Sequence, residues 1–290
     1  MADQRPVDAV SGTETTGHEW DGIEELDTPI PNWWRYILYA TIVWSIGYWI
    51  AMPAWPTISG HTKGLLGYSS RANVAEDIKV AAAAQSQFND KLRQASLEQI
   101  RTNSELLEFA LAGGRSAFNV NCSQCHGSGA QGFKGYPNLN DDEWLWGGSL
   151  KEISATITHG ARNDTDDDAH SSEMPAFLKD ELLKSNQIGD VAEYVLSLSK
   201  NSKDAKAASR GAPLYKEHCV SCHAEGGKGN KEFGAPALNN NIWLYGGDAA
   251  SIKETISNSR KGVMPAWGAL LDKDTIKKLA IYVHSLGGGK

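Results

Sequence analysis

The longest apolar run of the chain lies near its N-terminus. After Arg35, no Asp, Glu, Lys or Arg appears until Lys63, and residues 36–52 are almost all aliphatic or aromatic. This is about the 20 residues that a helix needs to cross a bilayer. Tryptophan and tyrosine side chains flank the run at both ends, as in the aromatic belts of membrane helices, and Pro56 terminates it. The pattern predicts a single transmembrane helix over residues 33–56.

A buried core helix and a cleaved signal peptide are the alternative interpretations of this run. A signal peptide is disfavoured because roughly thirty mostly acidic residues precede the run and no basic region does. Basic residues do not set an orientation, since Arg5 and Arg35 precede the run while Lys63 and Arg71 follow it.

The rest of the chain has helical periodicity interrupted by loops rich in Gly, Pro and Asn. No run alternates convincingly as a strand, so we expect an all-α fold. Residues 72–112 are rich in Ala, Gln, Glu and Leu, which favours a helical stalk over residues 57–107 that continues into the next helix. Later helices are predicted at residues 150–159, 179–198, 249–257 and 272–286.

The C-terminal part of the chain contains an internal repeat. It predicts a tandem duplication with domains at residues 108–199 and 208–290, joined by a linker at residues 200–207. Residues 1–32 form a separate N-terminal segment. The matching segments are Pro137-Asn-Leu139 and Pro236-Ala-Leu238, Trp144-Leu-Trp-Gly-Gly and Trp243-Leu-Tyr-Gly-Gly, and Met174-Pro-Ala-Phe and Met264-Pro-Ala-Trp.

Each repeat begins with the pattern Cys-x-x-Cys-His, which is the attachment motif of a c-type haem. Positions i and i+3 share one helix face, so both thiols can form thioethers to one porphyrin while the histidine binds its iron. A zinc half-site and a thioredoxin-like redox pair are the alternatives, and two matching copies disfavour both. No cysteine remains for a disulfide. The motif residues are Cys122, Cys125 and His126, then Cys219, Cys222 and His223.

The second axial ligand of each iron is predicted to be a methionine. Met174 and Met264 occupy matching positions in the repeats, and a thioether ligand favours Fe(II) and raises the reduction potential. The alternative is bis-histidine ligation, with His159 or His170 in the first domain and His284 in the second. None of these histidines has a counterpart in the other repeat.

Both repeats resemble class I cytochrome c domains. In such domains, the carbonyl of a proline placed like Pro137 or Pro236 accepts a hydrogen bond from Nδ1 of the ligating histidine, which orients the ring. Trp144 and Trp243 are expected to pack against the haem or the core. The predicted architecture is therefore one N-terminal transmembrane helix followed by two tandem class I cytochrome c domains. Because such haems are attached outside the energy-transducing membrane, both domains are expected in the periplasm.

The charge of the chain suits a cationic partner. The formal net charge is −7, which argues against nucleic acid as a partner. The first repeat contains an acidic insertion, which we interpret as a docking patch for a basic donor cytochrome, with a solvated loop as the alternative. The docking candidates are Asp164, Asp166, Asp167 and Asp168.

The segment before the apolar run carries a more specific resemblance. His18-Glu-Trp20-Asp21-Gly22-Ile23 and Pro29-Ile-Pro31-Asn-Trp33-Trp34 are similar to the N-terminal pattern of the dihaem subunit III (CcoP/FixP) of cbb3-type cytochrome c oxidases. Some members of that family have two anchors rather than one.

This resemblance implies two covalent haems c that pass electrons from a donor cytochrome c. The acceptor would be a haem–copper catalytic subunit that reduces O2 to water with proton pumping. A monohaem cytochrome c subunit would lie alongside, and this chain would have no catalytic centre of its own. It also implies the bacterial inner membrane, with the N-terminus cytoplasmic and the haem domains periplasmic.

Two other classes of function share most of these features. A free-standing membrane-anchored dihaem carrier, or the cytochrome subunit of a dehydrogenase, would lack only the N-terminal pattern. A dihaem cytochrome c peroxidase would need an open coordination position at one iron, which the two matching Met-Pro segments disfavour.

Overall fold

The computed structural model describes residues 6–287, and the chain divides into two units, one ending at Ala83 and the other beginning at Ala84. The N-terminal unit contains an antiparallel hairpin of β1 (Thr15–Trp20) and β2 (Ile23–Leu26), then α1 (Asn32–Ala51). A second short hairpin of β3 (Pro56–Thr57) and β4 (Gly60–His61) precedes α2 (Ser70–Gln94), which extends into the second unit.

The first hairpin shows that the prediction of no strands is wrong for this segment. Its turn is Asp21-Gly22, with φ of 52° and 84°, the left-handed conformation of a type I′ turn. β2 is exposed along its whole length, and β1 is exposed from Gly17 onward. No buried face produces the alternation by which strands are normally detected.

The helix α1 covers most of the predicted membrane segment. It begins after Pro31, runs for 20 residues, ends before Met52 and has no buried side chain. Judged by length and mean hydropathy, none of the helices in residues 6–287 is apolar enough to cross a membrane. The span predicted over residues 33–56 is therefore not confirmed.

The second unit is helical. Ser96 and Ser149 begin helices with capping boxes, and Asp204, Asp248 and Asp272 accept hydrogen bonds from the first turns of other helices. The helices are α3 (Leu97–Thr102), α4 (Ser104–Asn121), α5 (Ser123–His126), α6 (Leu150–His159), α7 (Ser185–Leu198), α8 (Ala205–His218), α9 (Val220–His223), α10 (Ala249–Asn258) and α11 (Lys273–Ser285).

The predicted stalk is not one continuous helix. Caps at Ser96 and Asn103 interrupt it, so that α2, α3 and α4 are separate helices. Leu92 of α2 and Ile100 of α3 are fully buried with Leu106 of α4 in one hydrophobic cluster. The last part of the stalk region is thus packed into the second unit.

The long helices of the two repeats are exchanged. α4 of the first repeat packs against α11 of the second, and α7 of the first repeat packs against α8 of the second. Glycines permit both crossings. A Cβ at Gly114 would lie 2.2 Å from the carbonyl oxygen of Lys278 on α11, and one at Gly211 would lie 2.0 Å from that of Asp190 on α7.

This exchange produces two hydrophobic cores. The first core consists of residues 104–160 and 264–286, and the second core of residues 174–258. The repeats at 108–199 and 208–290 therefore each contribute to both cores. The buried side chains of the first core include Phe118, Ile153, Ile157, Ile276 and Leu279, and those of the second include Ile188, Val191, Tyr215, Ile252 and Ile256.

Backbone hydrogen bonds fix the exchanged segments. Trp267 N–H donates to the carbonyl of Ile157 on α6 at 3.1 Å. In the matching place of the second core, Phe177 N–H donates to the carbonyl of Ile256 on α10 at 3.0 Å. Each Met-Pro-Ala-aromatic segment therefore packs on the helix of the other repeat. The crossover segments that connect the cores are residues 160–173 and 259–263.

Candidate functional site

The two Cys-x-x-Cys-His motifs adopt the same local structure. Cys122 follows the last residue of α4, and the N–H groups of Cys125 and His126 both donate to its carbonyl, at 3.1 and 2.9 Å. In the second motif, Cys222 and His223 donate to the carbonyl of Cys219 at 3.2 and 2.9 Å. Each motif is thus closed into a single turn, which brings its two thiols and its histidine onto one side.

The motif histidines are held in the neutral form. His126 Nδ1 lies 2.9 Å from the carbonyl oxygen of Pro137, and His223 Nδ1 lies 3.0 Å from that of Pro236. A carbonyl oxygen only accepts, so each Nδ1 carries the proton and each Nε2 keeps a free lone pair. Burial lowers the pKa of both imidazoles, which favours the neutral form. The structure thus brings each predicted proline to its predicted histidine.

Two of the four motif thiols are difficult to ionise. All four are free in the structure. Burial raises the pKa of the Cys122 and Cys219 thiols to about 11, so both are protonated at neutral pH. A thioredoxin-like redox pair depends on a thiolate of lowered pKa, so the raised pKa of these two thiols disfavours one.

The second motif faces a cavity that also contains Met174. Cys219, Cys222, His223 and Met174 all line this cavity of about 200 Å³. The methionine therefore comes from the first repeat and the histidine from the second. Apolar side chains of the second core, including Tyr215, form part of the same wall.

The first motif has the reciprocal arrangement. Met264 of the second repeat packs against the first core, as do Cys122 and Trp144 of the first repeat. The N–H groups of Ala161 and Met264 each donate to the other's carbonyl, at 3.0 and 2.9 Å, which fixes the segment that carries this methionine. Both predicted methionines thus lie in cores that contain the motif of the other repeat.

A c-type haem fits these residues. Within residues 6–287, the buried indole nitrogen Nε1 of Trp144 has no hydrogen-bond partner. An unpaired buried donor costs about 1–3 kcal/mol, so such a group indicates that an acceptor belongs there. A haem propionate would supply this acceptor, while the cysteines and Nε2 of His126 would hold the ring and its iron.

The alternative histidine ligands have other contacts. His159 Nδ1 lies 3.1 Å from both carboxylate oxygens of Asp166. His170 stacks on Trp146 with ring centroids 4.3 Å apart, and its Nε2 lies 3.1 Å from Thr156 Oγ1. His284 is placed on α11. His170 follows the acidic insertion in the crossover segment between the cores.

The acidic insertion is mostly solvated. Asp164, Asp167 and Asp168 are exposed, whereas Asp166 is half-buried against His159. Three of the four predicted docking residues are therefore free to meet a partner, and the fourth is engaged within the loop.

Two pairs of residues were missed by sequence reasoning. Gly114 and Gly211 permit the exchanged helix crossings, and each lies eight residues before the first cysteine of its motif, a match that could have drawn attention to them. Arg162 and Arg260 both line the cavity of the second motif. Arg162 lies directly before the acidic insertion, where no sequence pattern marks it.

Comparison with known proteins gives a consistent assignment along the chain. Residues 12–59 match the family described as the N-terminal domain of cytochrome oxidase-cbb3, FixP. Residues 111–199 match cytochrome c, and residues 206–283 match cytochrome c oxidase, cbb3-type, subunit III.

Curated relatives match over nearly the full length. The Cbb3-type cytochrome c oxidase subunit FixP of Bradyrhizobium sp. is 53% identical over 100% of both chains. Subunit CcoP of Azospirillum brasilense is 51% identical over 99% of both chains, and that of Cereibacter sphaeroides is 51% identical over 95% of both. The chain belongs to the CcoP/FixP family of cbb3-type cytochrome c oxidase subunits.

Membership in the CcoP/FixP family confirms the resemblance carried by residues 18–34. The FixP N-terminal family covers that segment, and two cytochrome families cover the two motif regions. The CcoP/FixP chain therefore contains cytochrome c domains, which carry covalently bound haem c.

Proposed function

We propose that this CcoP/FixP-family chain is the electron-transfer subunit of a cbb3-type oxidase and carries two covalent haems c. It receives electrons from a donor cytochrome c and passes them towards the haem–copper subunit that reduces O2 to water. The observation that carries this proposal is the pair of matching sites, each with two cysteines, a neutral histidine and a methionine. No catalytic centre is proposed within the chain itself.

The ligand sets are assigned across the repeats. His126 and Met264 are the axial ligands at the first core, and His223 and Met174 are those at the second core. The second assignment rests on the cavity that these two residues share, and the first on the packing of Met264 with Cys122. Each methionine is thus assigned to the histidine of the other repeat, whereas a simple tandem duplication would pair it with the histidine of its own repeat.

The residues around each site tune a one-electron carrier. A bound haem supplies the Fe(II)/Fe(III) couple. Pro137 and Pro236 hold the histidine rings in one orientation through their carbonyls. The apolar cores exclude water, and the thioether ligands favour Fe(II), so both features raise the reduction potential.

Variants that lack one haem test the ligand assignment. With Cys122→Ser and Cys125→Ser, only the haem of the second core should remain. Met174→His should then lower the potential of that haem, because imidazole favours Fe(III) more than a thioether does, and Met264→His should leave it unchanged. Pairing within each repeat requires the opposite result.

Membrane attachment is proposed for α1, with residues 33–56 as a single span. Its mean hydropathy is reduced by Trp and Tyr, yet these are the side chains that membrane interfaces favour. All of its side chains are exposed or half-buried within its own unit. The cytochrome domains would lie in the periplasm and the N-terminus in the cytoplasm of a bacterial inner membrane.

Deletion variants test this attachment. Replacing residues 1–56 by a cleaved export signal should release the holoprotein into the soluble fraction after alkaline washing, whereas removing only the β1–β2 hairpin should not. Protease added to spheroplasts should reach the cytochrome domains only if they are periplasmic. Membrane retention of the chain without residues 33–56 would exclude this helix as the anchor.

The proposed partners are the haem–copper catalytic subunit, the monohaem cytochrome c subunit and a basic donor cytochrome c. Asp164, Asp167 and Asp168 are exposed and suit such a donor. Rising salt should slow electron entry, and replacing these three residues by Asn should reduce that salt dependence. An unchanged salt dependence would show that the insertion is not part of the docking surface.

The proposed function itself is tested by gentle purification from native membranes. A reduced-minus-oxidised spectrum should show haem b together with haem c, and O2 uptake should accompany the tagged chain. Haem c alone, without O2 uptake, would instead favour a free-standing carrier.

A further inference from the structure

Arg162 lies at the point where the chain passes from one core to the other. It follows α6, a helix of the first core, by three residues, and its φ of 54° turns the backbone sharply. Its side chain nevertheless lines the cavity that contains His223 and Met174 of the second core. A cation from the first crossover segment thus reaches the second haem site.

The guanidinium of Arg162 is held by neutral groups. Nε donates to the carbonyl of Gly262 at 2.8 Å, and Nη1 donates to that of Ser172 at 3.1 Å. The group also lies over the ring of Trp146, with Cζ 5.5 Å from the centroid. Among residues 6–287, no carboxylate forms a salt bridge with it.

A second arginine of the same cavity has similar contacts. Arg260 donates to Thr255 Oγ1 and, at 2.6 Å, to the carbonyl of Ser251, and its Cζ lies 4.7 Å from the ring centroid of Tyr245. It also forms no salt bridge within the described part of the chain. Lys261 lines the cavity too, but it is paired with Glu173.

Two cations without counter-ions in one cavity indicate an anionic ligand. Burial lowers the pKa of Arg162, because the charged form is partly removed from water, and Tyr245 and Glu173 oppose this only in part. A half-buried charge is unfavourable unless an opposite charge compensates it. Arginine binds carboxylates in a bidentate geometry, and a haem carries two propionate carboxylates.

We propose that Arg162 and Arg260 bind the propionates of the second haem, and that their charges raise the reduction potential of that haem. The inference rests on the proposed function, since it requires a haem in the second cavity. A fixed cation stabilises Fe(II) relative to Fe(III), because the oxidised centre carries one more positive charge. Arg162 thus acts as a positioning and tuning residue for electron sharing between the haems.

Redox titration of the intact two-haem protein tests this role. Arg162→Gln should lower the reduction potential of the second haem by about 59 mV. For a one-electron couple, this changes the equilibrium distribution of an electron between the two haems about tenfold. Arg162→Lys keeps the positive charge but not the bidentate geometry of the guanidinium. The second haem should therefore keep most of its wild-type reduction potential. Arg210→Gln is the matched control, because Arg210 pairs with Asp190 on the surface and does not line the cavity.

A purely structural role gives a different result. If Arg162 were only structural, Arg162→Gln and Arg162→Lys would lose thermal stability equally, and the reduction potential of the second haem would stay unchanged. That result would overturn the proposal. If Arg162→Gln does not accumulate, Arg260→Gln decides, because the contacts of Arg260 lie within the second core. An unchanged potential in that variant also overturns the proposal.

Failure of the proposed function is recognised separately. The wild-type protein should contain two haems and show the far-red absorption of methionine–iron bonds at both. If the second haem or its methionine bond is absent in the wild type, the proposed function fails before any arginine variant is measured.

Discussion

The first and second cores contain the same parts but are connected differently. The second core is one continuous stretch, residues 174–258, in which the order of helices is α7, α8, α9 and α10. The first core is assembled from two stretches, residues 104–160 and 264–286, with the whole second core between them. The second core therefore resembles an insertion into the first.

This difference shows that a sequence repeat and a folding unit need not coincide. Each repeat supplies its motif to one core and its methionine and last helix to the other. The second core has all of its parts in one local segment, whereas the first needs contacts between distant parts of the chain. Such non-local contacts carry a larger loop-closure cost. The two cores should thus differ in how they respond to cutting and substitution.

Fragments cut at different boundaries should show the largest difference. A chain of residues 171–262 contains the complete second core and should bind one haem with histidine–methionine ligation. A chain of residues 205–287, the second repeat, lacks α7 and Met174 and should not fold, because Tyr215 and Ile252 lose their packing partners. Circular dichroism and the far-red methionine band measure both. A folded, methionine-ligated 205–287 fragment would contradict the exchange.

Substitutions at the helix crossings should damage one core at a time. Gly211→Val places a side chain against the backbone of Asp190 and should destabilise the second core by about 3 kcal/mol. Gly114→Val should do the same to the first core through Lys278. Denaturant unfolding followed at each methionine band separates the two. Gly189→Val on α7, where the added Cβ meets only the end of the Lys253 side chain at 3.9 Å, is the control for placing valine in a helix without a clash.

Trp144→Phe should affect the apoprotein and the holoprotein in opposite directions. The substitution removes a buried N–H that has no partner, so the apoprotein should gain up to about 1 kcal/mol or remain unchanged. The holoprotein should lose stability, because the haem propionate loses its donor. Equal destabilisation of both forms would show that Trp144 only fills space.

Lys277 connects the first core to the end of α2, and its removal should have a moderate effect. Its Nζ donates to the carbonyls of Leu92, Arg93 and Ala95, at 3.2, 2.9 and 2.8 Å. Lys277→Met keeps the aliphatic stem but leaves the C-terminal carbonyls of α2 without this cation, at a cost of about 1–2 kcal/mol. Hydrogen exchange should increase in residues 84–102 and not in the second core. Uniform exchange throughout would contradict this local role.

The smallest effect is expected at Glu193, which holds the connection between α7 and α8. Its carboxylate accepts from Ser202 Oγ at 2.7 Å and from the N–H groups of Lys203 and Asp204. The Ser202 hydroxyl, with these two N–H groups, lowers the pKa of Glu193.

A lowered pKa in the folded state stabilises the fold above the ordinary value of 4.5, and this stabilisation is lost as the pH falls below it. Glu193→Gln should therefore be less stable than wild type at neutral pH by less than about 1 kcal/mol. The difference should disappear towards pH 3, which urea unfolding at a series of pH values would measure. A constant difference at all pH values would exclude the charge as its cause.

Much of the site could be predicted from short-range sequence patterns. The motif cysteines and histidines, the two prolines and the bounds of α6 depend on local geometry, which the chain encodes within about ten residues. The β1–β2 hairpin escaped detection because its strands are exposed on both sides. The exchange of Met174 and Met264 could not be predicted, because the repeats are similar enough in sequence for each methionine segment to pack on either one, and spacing alone does not choose between them. The proposed role of Arg162 could not be predicted either, because it depends on the path that the chain takes between the two cores.

The position of Met264 after both motifs has a consequence for biosynthesis. Every residue of the second core precedes Met264 in the chain, so the second site does not depend on the last segment to be synthesised. On the proposed ligand assignment, the first motif, although it is synthesised earlier, must wait for that last segment before its site is complete. The two sites should therefore be completed in the reverse order of the synthesis of their motifs, so that the site of the first motif is completed last.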